Sequence, residues 1–360
     1  MQPSEHLLII ERAPEKMGER QKQICLDRNE RTVPFPPEVF RDMLRTVQSD
    51  LFNRYPNPDP LYERLSRRIE LPMDHLYLTN GSDAALRMLF QVFIRPGDKV
   101  VFAHPAYAMY AIYAKIFQAV PQTVEYGADL TLDLRTLLET LKQRPRLLVL
   151  ANPDQPTGAV LAPDALHQVA TSAKDHGVLL IVDEAYFPFY PKTAIGWVPT
   201  MDHLVVTRTF SKAFGLAGLR LGYLAAQPAI IRAVGQVRGA HEVNAMAIAM
   251  GSYMLDHPEL SQELIRQLEK GRSVLKRAAE ELRLEFPPCP ANFQLMGFPG
   301  LDSTQSVVGV LKSKGYEVKG NFTFPALRRF IRVTLSDADT LEGFIQALKS
   351  TLTELAWTPR

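Results

Sequence analysis

The chain has 360 residues, with 41 basic and 39 acidic side chains and a formal net charge of +2. Apolar residues make up 46% and charged residues 22%, the balance of a soluble globular chain long enough for two domains. Near-neutral charge argues against nucleic acid or an anionic membrane as a partner, since both call for a basic excess. Two cysteines, Cys25 and Cys289, are too few for a disulfide framework and carry no paired metal spacing. Reduced thiols in a cytoplasmic protein are the expectation. The first ten residues lack a basic segment followed by an apolar run. The longest apolar runs, such as Val178 to Val182, are strand-length, far short of the ~18 residues of a membrane helix.

Residues 1–45 hold one short helix and little core of their own, so they read as a segment that packs with a C-terminal domain. Residues 46–240 read as a large domain. In it, Ser82 or Asp83 caps a helix whose Ala85, Leu86, Leu89, Phe90 and Phe93 form one apolar stripe. Val100 to Ala103 reads as a strand, Tyr107 to Phe117 as a helix and Thr123 to Tyr126 as a strand. Asp133 to Lys142 reads as a helix, Leu147 to Ala151 as a strand and Pro163 to Asp175 as a helix with proline in its first turn. Val178 to Val182, Leu204 to Thr207 and Leu221 to Ala225 are further strands. These strands are continuous apolar runs, which indicates burial on both faces of a mostly parallel sheet covered by helices. Residues 241–360 begin an interdomain helical region and a smaller α+β domain, with a long helix from about Pro258 to Leu284.

Several polar groups sit where such a sheet places ligands, at the carboxyl ends of its strands. Lys212 follows a buried strand, with Thr209 and Ser211 just before it and Arg220 eight residues after it. Hydroxyls, a lysine and an arginine together suit a phosphate-bearing ligand. Asp183 ends an all-apolar strand, where a carboxylate is costly unless it meets a cation. Tyr186 lies three residues on. Asn152-Pro-Asp-Gln155-Pro-Thr-Gly158 is a polar turn after another strand. Gly81-Ser82-Asp83 opens a helix, whose free N–H groups can bind an anion.

In that order, with an aromatic at Tyr107, the chain resembles the pyridoxal-phosphate (PLP) aminotransferases of fold type I, class I/II, in their histidinol-phosphate aminotransferase-like branch. The run Ser211-Lys-Ala-Phe-Gly-Leu-Ala-Gly-Leu-Arg220 carries the match most specifically. It extends from Leu26-Asp-Arg-Asn-Glu-Arg31 through Tyr55-Pro56 to Phe330-Ile-Arg-Val-Thr-Leu335. The resemblance implies a seven-stranded, mostly parallel sheet plus a small α+β domain. It implies transamination between a small amino donor, phosphorylated or not, and a keto acceptor in ping-pong half-reactions. Lys212 would form the Schiff base with PLP and move the α-proton, while Asp183 would pair the ring nitrogen. Tyr186 would donate to the ring's phenolic oxygen and Tyr107 would stack on the ring. Gly81, Ser82, Asp83, Thr209, Ser211 and Arg220 would hold the phosphate. Tyr55 would complete the partner's site in a homodimer, and Arg332 would grip a substrate anion.

The family's Asn-Pro-Thr-Gly has Gln155 in place of asparagine here, with Asn152 as the fallback donor to the phenolic oxygen. The resemblance also places Asn29 and Lys319 at substrate contacts, and Glu242, within His241-Glu-Val-Asn244, is expected to border the substrate pocket. Lys319 stands where histidinol-phosphate enzymes carry a phosphate-binding arginine, so another anionic amine is the expected substrate. The alternative on the same fold is decarboxylation of an amino-acid phosphate, distinguished by release of carbon dioxide.

Overall fold

A computed structural model describes residues 4–8, 10 and 22–358. The rest of the expected N-terminal segment (1–3, 9 and 11–21) lies outside the described residues. In chain order the helices are α1 (Glu5–Leu8), α2 (Pro37–Arg45), α3 (Asp59–Ile69), α4 (Gly81–Phe93), α5 (Ala108–Ile116), α6 (Leu134–Leu141), α7 (Pro163–His176), α8 (Pro228–Gly235), α9 (Ala245–Asp256), α10 (Pro258–Leu282), α11 (Gln305–Ser313) and α12 (Ala338–Glu354). The strands are β1 (Ile24–Leu26), β2 (Leu76–Thr79), β3 (Lys99–His104), β4 (Val120–Glu125), β5 (Leu147–Ala151), β6 (Leu179–Asp183), β7 (Leu204–Thr209), β8 (Gly222–Ala226), β9 (Phe293–Gly297), β10 (Tyr316–Val318) and β11 (Phe330–Thr334).

A seven-stranded sheet runs in the order β2-β8-β7-β6-β5-β3-β4. Strands β3 to β7 pair in parallel, and β8 runs antiparallel to both of its neighbours. The apolar strands are continuous because each face meets its own core. One face packs Leu148, Leu150, Leu180, Val182 and Val206 against α6, α7 and α9. The other packs Val149, Ile181 and Val205 against α4, α5 and α8. Strand β4 starts three residues earlier than its apolar run suggests. It is an edge strand, paired only with β3, and its first residues, including Pro121, are exposed. An edge needs neither a continuous apolar run nor every N–H.

The C-terminal part has a separate core in which α10 and α12 pack Leu268, Leu275, Phe344 and Leu348 against Met296, Ile331 and Val333 of antiparallel β9 and β11. Strand β1 joins this unit by parallel pairing with β10, and Leu26 enters its core. Residues after β1 part from it: Phe35, Val39 and Met43 pack on the large-sheet core, as do Val243 and the α9 residues Ala247 and Met254. Among the described residues, no helix is long and apolar enough to cross a membrane.

Candidate active site

The parallel strands deliver their carboxyl ends to one rim, and a cavity of about 570 Å³ opens there. Strand β6 ends in Asp183 and β7 in Thr209, followed by Ser211 and Lys212. Across the rim, β2 leads through Thr79 into the first turn of α4. Gly81, Ser82 and Asp83 start that helix with N–H groups that have no partner one turn back.

Gly81 has a φ of +78°, and a Cβ there would stand 2.6 Å from Nη2 of Arg220. The guanidinium therefore occupies the space a side chain would fill. Its Nη1 donates to Ser211 Oγ at 3.3 Å, and Ser211 N–H donates to Thr209 Oγ1 at 3.1 Å. Gly222, at the start of β8, would drive a Cβ into the Ser82 backbone nitrogen, so only glycine lets β8 and α4 meet this closely. Helix-start N–H groups, two hydroxyls and a guanidinium line the same cavity, a donor set suited to a phosphate.

Asp183 is buried, and its carboxylate accepts the Tyr110 hydroxyl at 2.8 Å and the Thr207 hydroxyl at 2.9 Å. Burial pushes its pKa up to about 6, against the pull of those two donors. A buried anion aimed into a cavity fits a cationic ring nitrogen. Tyr110 escaped the sequence reading. The signal was its spacing from Tyr107, three residues along the start of α5, which brings the two rings edge to face at 5.7 Å. Tyr107 lines the cavity and donates to Asp83 at 3.4 Å.

Lys212 Nζ reaches the cavity and donates to the Arg28 carbonyl at 2.9 Å. Desolvation, then the cationic Arg332 and Arg220, depress its pKa to about 8. Tyr186 is buried and lines the cavity, and its hydroxyl oxygen accepts from Asn29 Nδ2 at 2.8 Å. Gln155 lines the cavity too. Asn152 does not: its Oδ1 accepts Leu161 N–H at 2.8 Å and its Nδ2 donates to the Leu161 carbonyl at 3.3 Å. Both ends of that amide thus bond the backbone and close the turn after β5.

Arg332 is buried on β11, with Nη2 donating to the Asp27 carbonyl at 2.7 Å and Nε and Nη1 without partners. Two unsatisfied buried guanidinium N–H groups are an anion-binding feature. Lys319 is exposed beside it, the two backbones bridging through N–H donation in both directions. Arg329 is held bidentately by Glu285 at 2.6 and 2.8 Å, and Arg31 donates to the Val33 carbonyl while lying over Phe35.

Glu242, Tyr55 and Asn29 lie outside the cavity lining, as do Gly81, Asn152, Arg332 and Lys319. Glu242 accepts the Gly239 N–H at 3.2 Å within its own turn, and Asn244 caps α9 by accepting Ala247 N–H at 2.8 Å. Within the 241–244 cluster, Glu242 and Asn244 thus satisfy backbone donors of a turn and of a helix start. Tyr55 is 81% exposed and stacks on His241 at 4.2 Å. Asn29 is spent on Tyr186 and Thr334, inside the protein. A further buried network went unread: Arg208 donates bidentately to Glu184 Oε2 at 2.9 and 2.8 Å and lies 3.5 Å over the Phe187 ring. It locks the residue after Asp183 to the residue before Thr209.

The family model for aminotransferase class I and II matches residues 21–348. The chain belongs to the class I and II aminotransferases. It is 31% identical over 330 residues to a histidinol-phosphate aminotransferase of Thermoanaerobacter sp. (strain X514), a match covering 91% of this chain and 92% of that one. Among solved structures, histidinol-phosphate aminotransferase from Sinorhizobium meliloti, in complex with pyridoxal-5′-phosphate, superposes with a TM-score of 0.88 at 23% identity, over 98% of each chain. An Escherichia coli protein with a methionine aminotransferase function superposes with a TM-score of 0.83 at 20% identity, over 97% of this chain and all of that one. The fold is therefore fold type I, and the aminotransferase is a PLP-dependent enzyme. The residues present fit that cofactor: the Gly81–Arg220 cradle suits its phosphate and the buried Asp183 suits its ring nitrogen.

Proposed function

We propose that the aminotransferase acts on a small anionic amino donor other than histidinol phosphate and on a keto acceptor, with Lys212 as the reacting amine. The observation that carries the reading is the meeting of Lys212, Asp183 and Arg220 in one cavity. Bound PLP supplies an aldehyde that captures amines and a ring that accepts electron density. Ser82 and Asp83 N–H groups, Thr209, Ser211 and Arg220 hold its phosphate. Asp183 meets the ring nitrogen, kept ionised there by the hydroxyls of Tyr110 and Thr207. Tyr107 lies against the ring, and Tyr186 and Gln155 donate to its phenolic oxygen. Lys212, with a pKa near 8, is neutral often enough to take the substrate's α-proton and return it one position away. Arg332 takes the donor's acid group on its two unpartnered nitrogens, with Lys319 beside it as a point charge.

A homodimer belongs to the same reading. Phe40, Leu44, Phe52 and Tyr55 are large apolar side chains exposed on and after α2, beside a groove of about 580 Å³ between α2, α3 and α9. Such a patch favours a second copy, with Tyr55 reaching the partner's phosphate. Borohydride reduction of the PLP-loaded protein, followed by peptide mapping, should put the cofactor on Lys212; another lysine would overturn the assignment. Histidinol phosphate should be a poor donor, and a kcat/KM of ~10⁴ M⁻¹s⁻¹ or above would defeat that part of the reading.

A further inference from the structure

Asn29 lies in the left-handed region at φ +57° and is 1% exposed. Every polar group it owns is wired. Its backbone N–H donates to Thr334 Oγ1 at 2.9 Å, and its carbonyl accepts Asn292 Nδ2 at 2.9 Å. Thr334 Oγ1 is thereby engaged as an acceptor and turns its single proton onto Asn29 Oδ1, 3.3 Å away. With Oδ1 committed to Thr334, the amide presents Nδ2 to Tyr186 at 2.8 Å. The phenol oxygen is thus an acceptor on its Asn29 side. Its own proton has to point elsewhere, and among the described residues no other group accepts it. Tyr186 lines the cavity.

We infer that Asn29 is a positioning residue that makes Tyr186 a donor into the cavity, toward the phenolic oxygen of PLP, and that Thr334 and Asn292 fix this polarity from the C-terminal unit. Thr334 ends β11, and Asn292 immediately precedes β9. The orientation of one proton in the large-sheet part therefore depends on where the C-terminal pair of strands sits. The inference rests on the reading of Tyr186 given above. It replaces the direct substrate contact expected of Asn29.

The polarity can be reversed without changing shape. Asn29→Asp has no N–H to give, so Tyr186 turns its proton onto residue 29 and the cavity loses the donor. The readout is the pH titration of the visible absorbance of the PLP-loaded protein, with the PLP dissociation constant and Tm measured alongside. A donor on the phenolic oxygen draws electron density from it and disfavours the protonated form of the loaded centre. Losing it should move the titration midpoint up by about one pH unit, the size of one hydrogen bond. Tyr186→Phe should give the same shift. In the Tyr186→Phe background Asn29→Asp should add little, which separates lost donation from the mere field of a new carboxylate. Thr334→Val, which removes the group that orients the amide together with the acceptor of the Asn29 backbone N–H, should shift the midpoint the same way by less, and it decides the matter by the same readout if Asn29→Asp does not fold. No shift with Tyr186→Phe overturns the reading of Tyr186 itself. A shift with Tyr186→Phe but none with Asn29→Asp or Thr334→Val, only a lower Tm, overturns the role of Asn29.

Discussion

Asp183→Asn should make the cofactor-free aminotransferase more stable while crippling it. The carboxylate is 4% exposed, and its pKa rises from an ordinary 3.8 to about 6, with burial as the main cause. Two units correspond to about 3 kcal/mol, the cost of keeping Asp183 ionised in the folded protein relative to the unfolded chain. The sign follows from proton binding. Between pH 4 and 6 the folded protein holds a proton that the unfolded chain has released, so stability rises as pH falls through about 6. An amide never carries that cost. It has one acceptor oxygen for the two hydroxyls of Tyr110 and Thr207, so it loses part of one hydrogen bond, about 1–2 kcal/mol. The net gain for the variant near pH 8 is therefore about 1–2 kcal/mol.

Urea unfolding of both cofactor-free proteins across the pH range measures it, with midpoints converted by a shared slope. The advantage of the variant should be full at about pH 8, shrink below about 6, vanish near 5 and become a deficit of about 1–2 kcal/mol below 4, where wild type has recovered the full ~3 kcal/mol. With PLP present the order should reverse, because only a carboxylate pairs with a cationic ring nitrogen and gains from the linkage. A variant less stable than wild type at pH 8, or an advantage independent of pH, would refute the reasoning.

The pH dependence of PLP capture follows from Lys212: its amine is the nucleophile only when neutral, so the capture rate should climb through about pH 8 and level above it. Stopped-flow absorbance tests this, and a flat rate across that range contradicts the depressed pKa. Gly81→Ala sets a Cβ against Arg220 at a positive φ; equilibrium dialysis should show PLP affinity reduced at least about tenfold, with circular dichroism unchanged. Arg208→Met strands the buried Glu184 carboxylate and should cost about 3–5 kcal/mol in urea unfolding, with much of it recovered by adding Glu184→Gln.

What the sequence made legible was whatever is decided within one element. The apolar runs of β5, β6 and β7 show burial on both faces, and Asp183 and Lys212 stand out because charges at the ends of such strands need a reason. The long α10 is readable from Pro258 onward for the same reason, a stripe repeated over many turns. Polar residues were read less well, because their roles depend on which backbone groups the fold leaves unsatisfied. Asn152 and Gln155 sit three residues apart in one turn, yet only the placement of Leu161 shows that the first is consumed by the backbone. Likewise, only the fold shows that Glu242 accepts the Gly239 N–H. Arg208 and Glu184 were invisible as a pair because nothing in either segment announces that β6 and β7 lie side by side, with their ends in register.

The charges at the site share one physical condition. Burial raises the pKa of Asp183 and lowers those of Lys212 and Arg332, so each of these groups is held in the state that water would favour only at a cost. Hydrogen bonds within the protein offset part of it: two hydroxyls at Asp183, one backbone carbonyl at Lys212 and one at Arg332. The remainder is complementary to the roles proposed above: a cationic ring nitrogen would relieve Asp183, a carbonyl carbon would consume the Lys212 amine in its neutral form, and a substrate anion would relieve Arg332. Because the Arg332 cation itself depresses Lys212, an anion bound to Arg332 would raise the proton affinity of the lysine proposed to accept the substrate's α-proton. On that reading, binding the donor would strengthen the base that acts on it, and a donor without an acid group would lose that assistance along with its anchor.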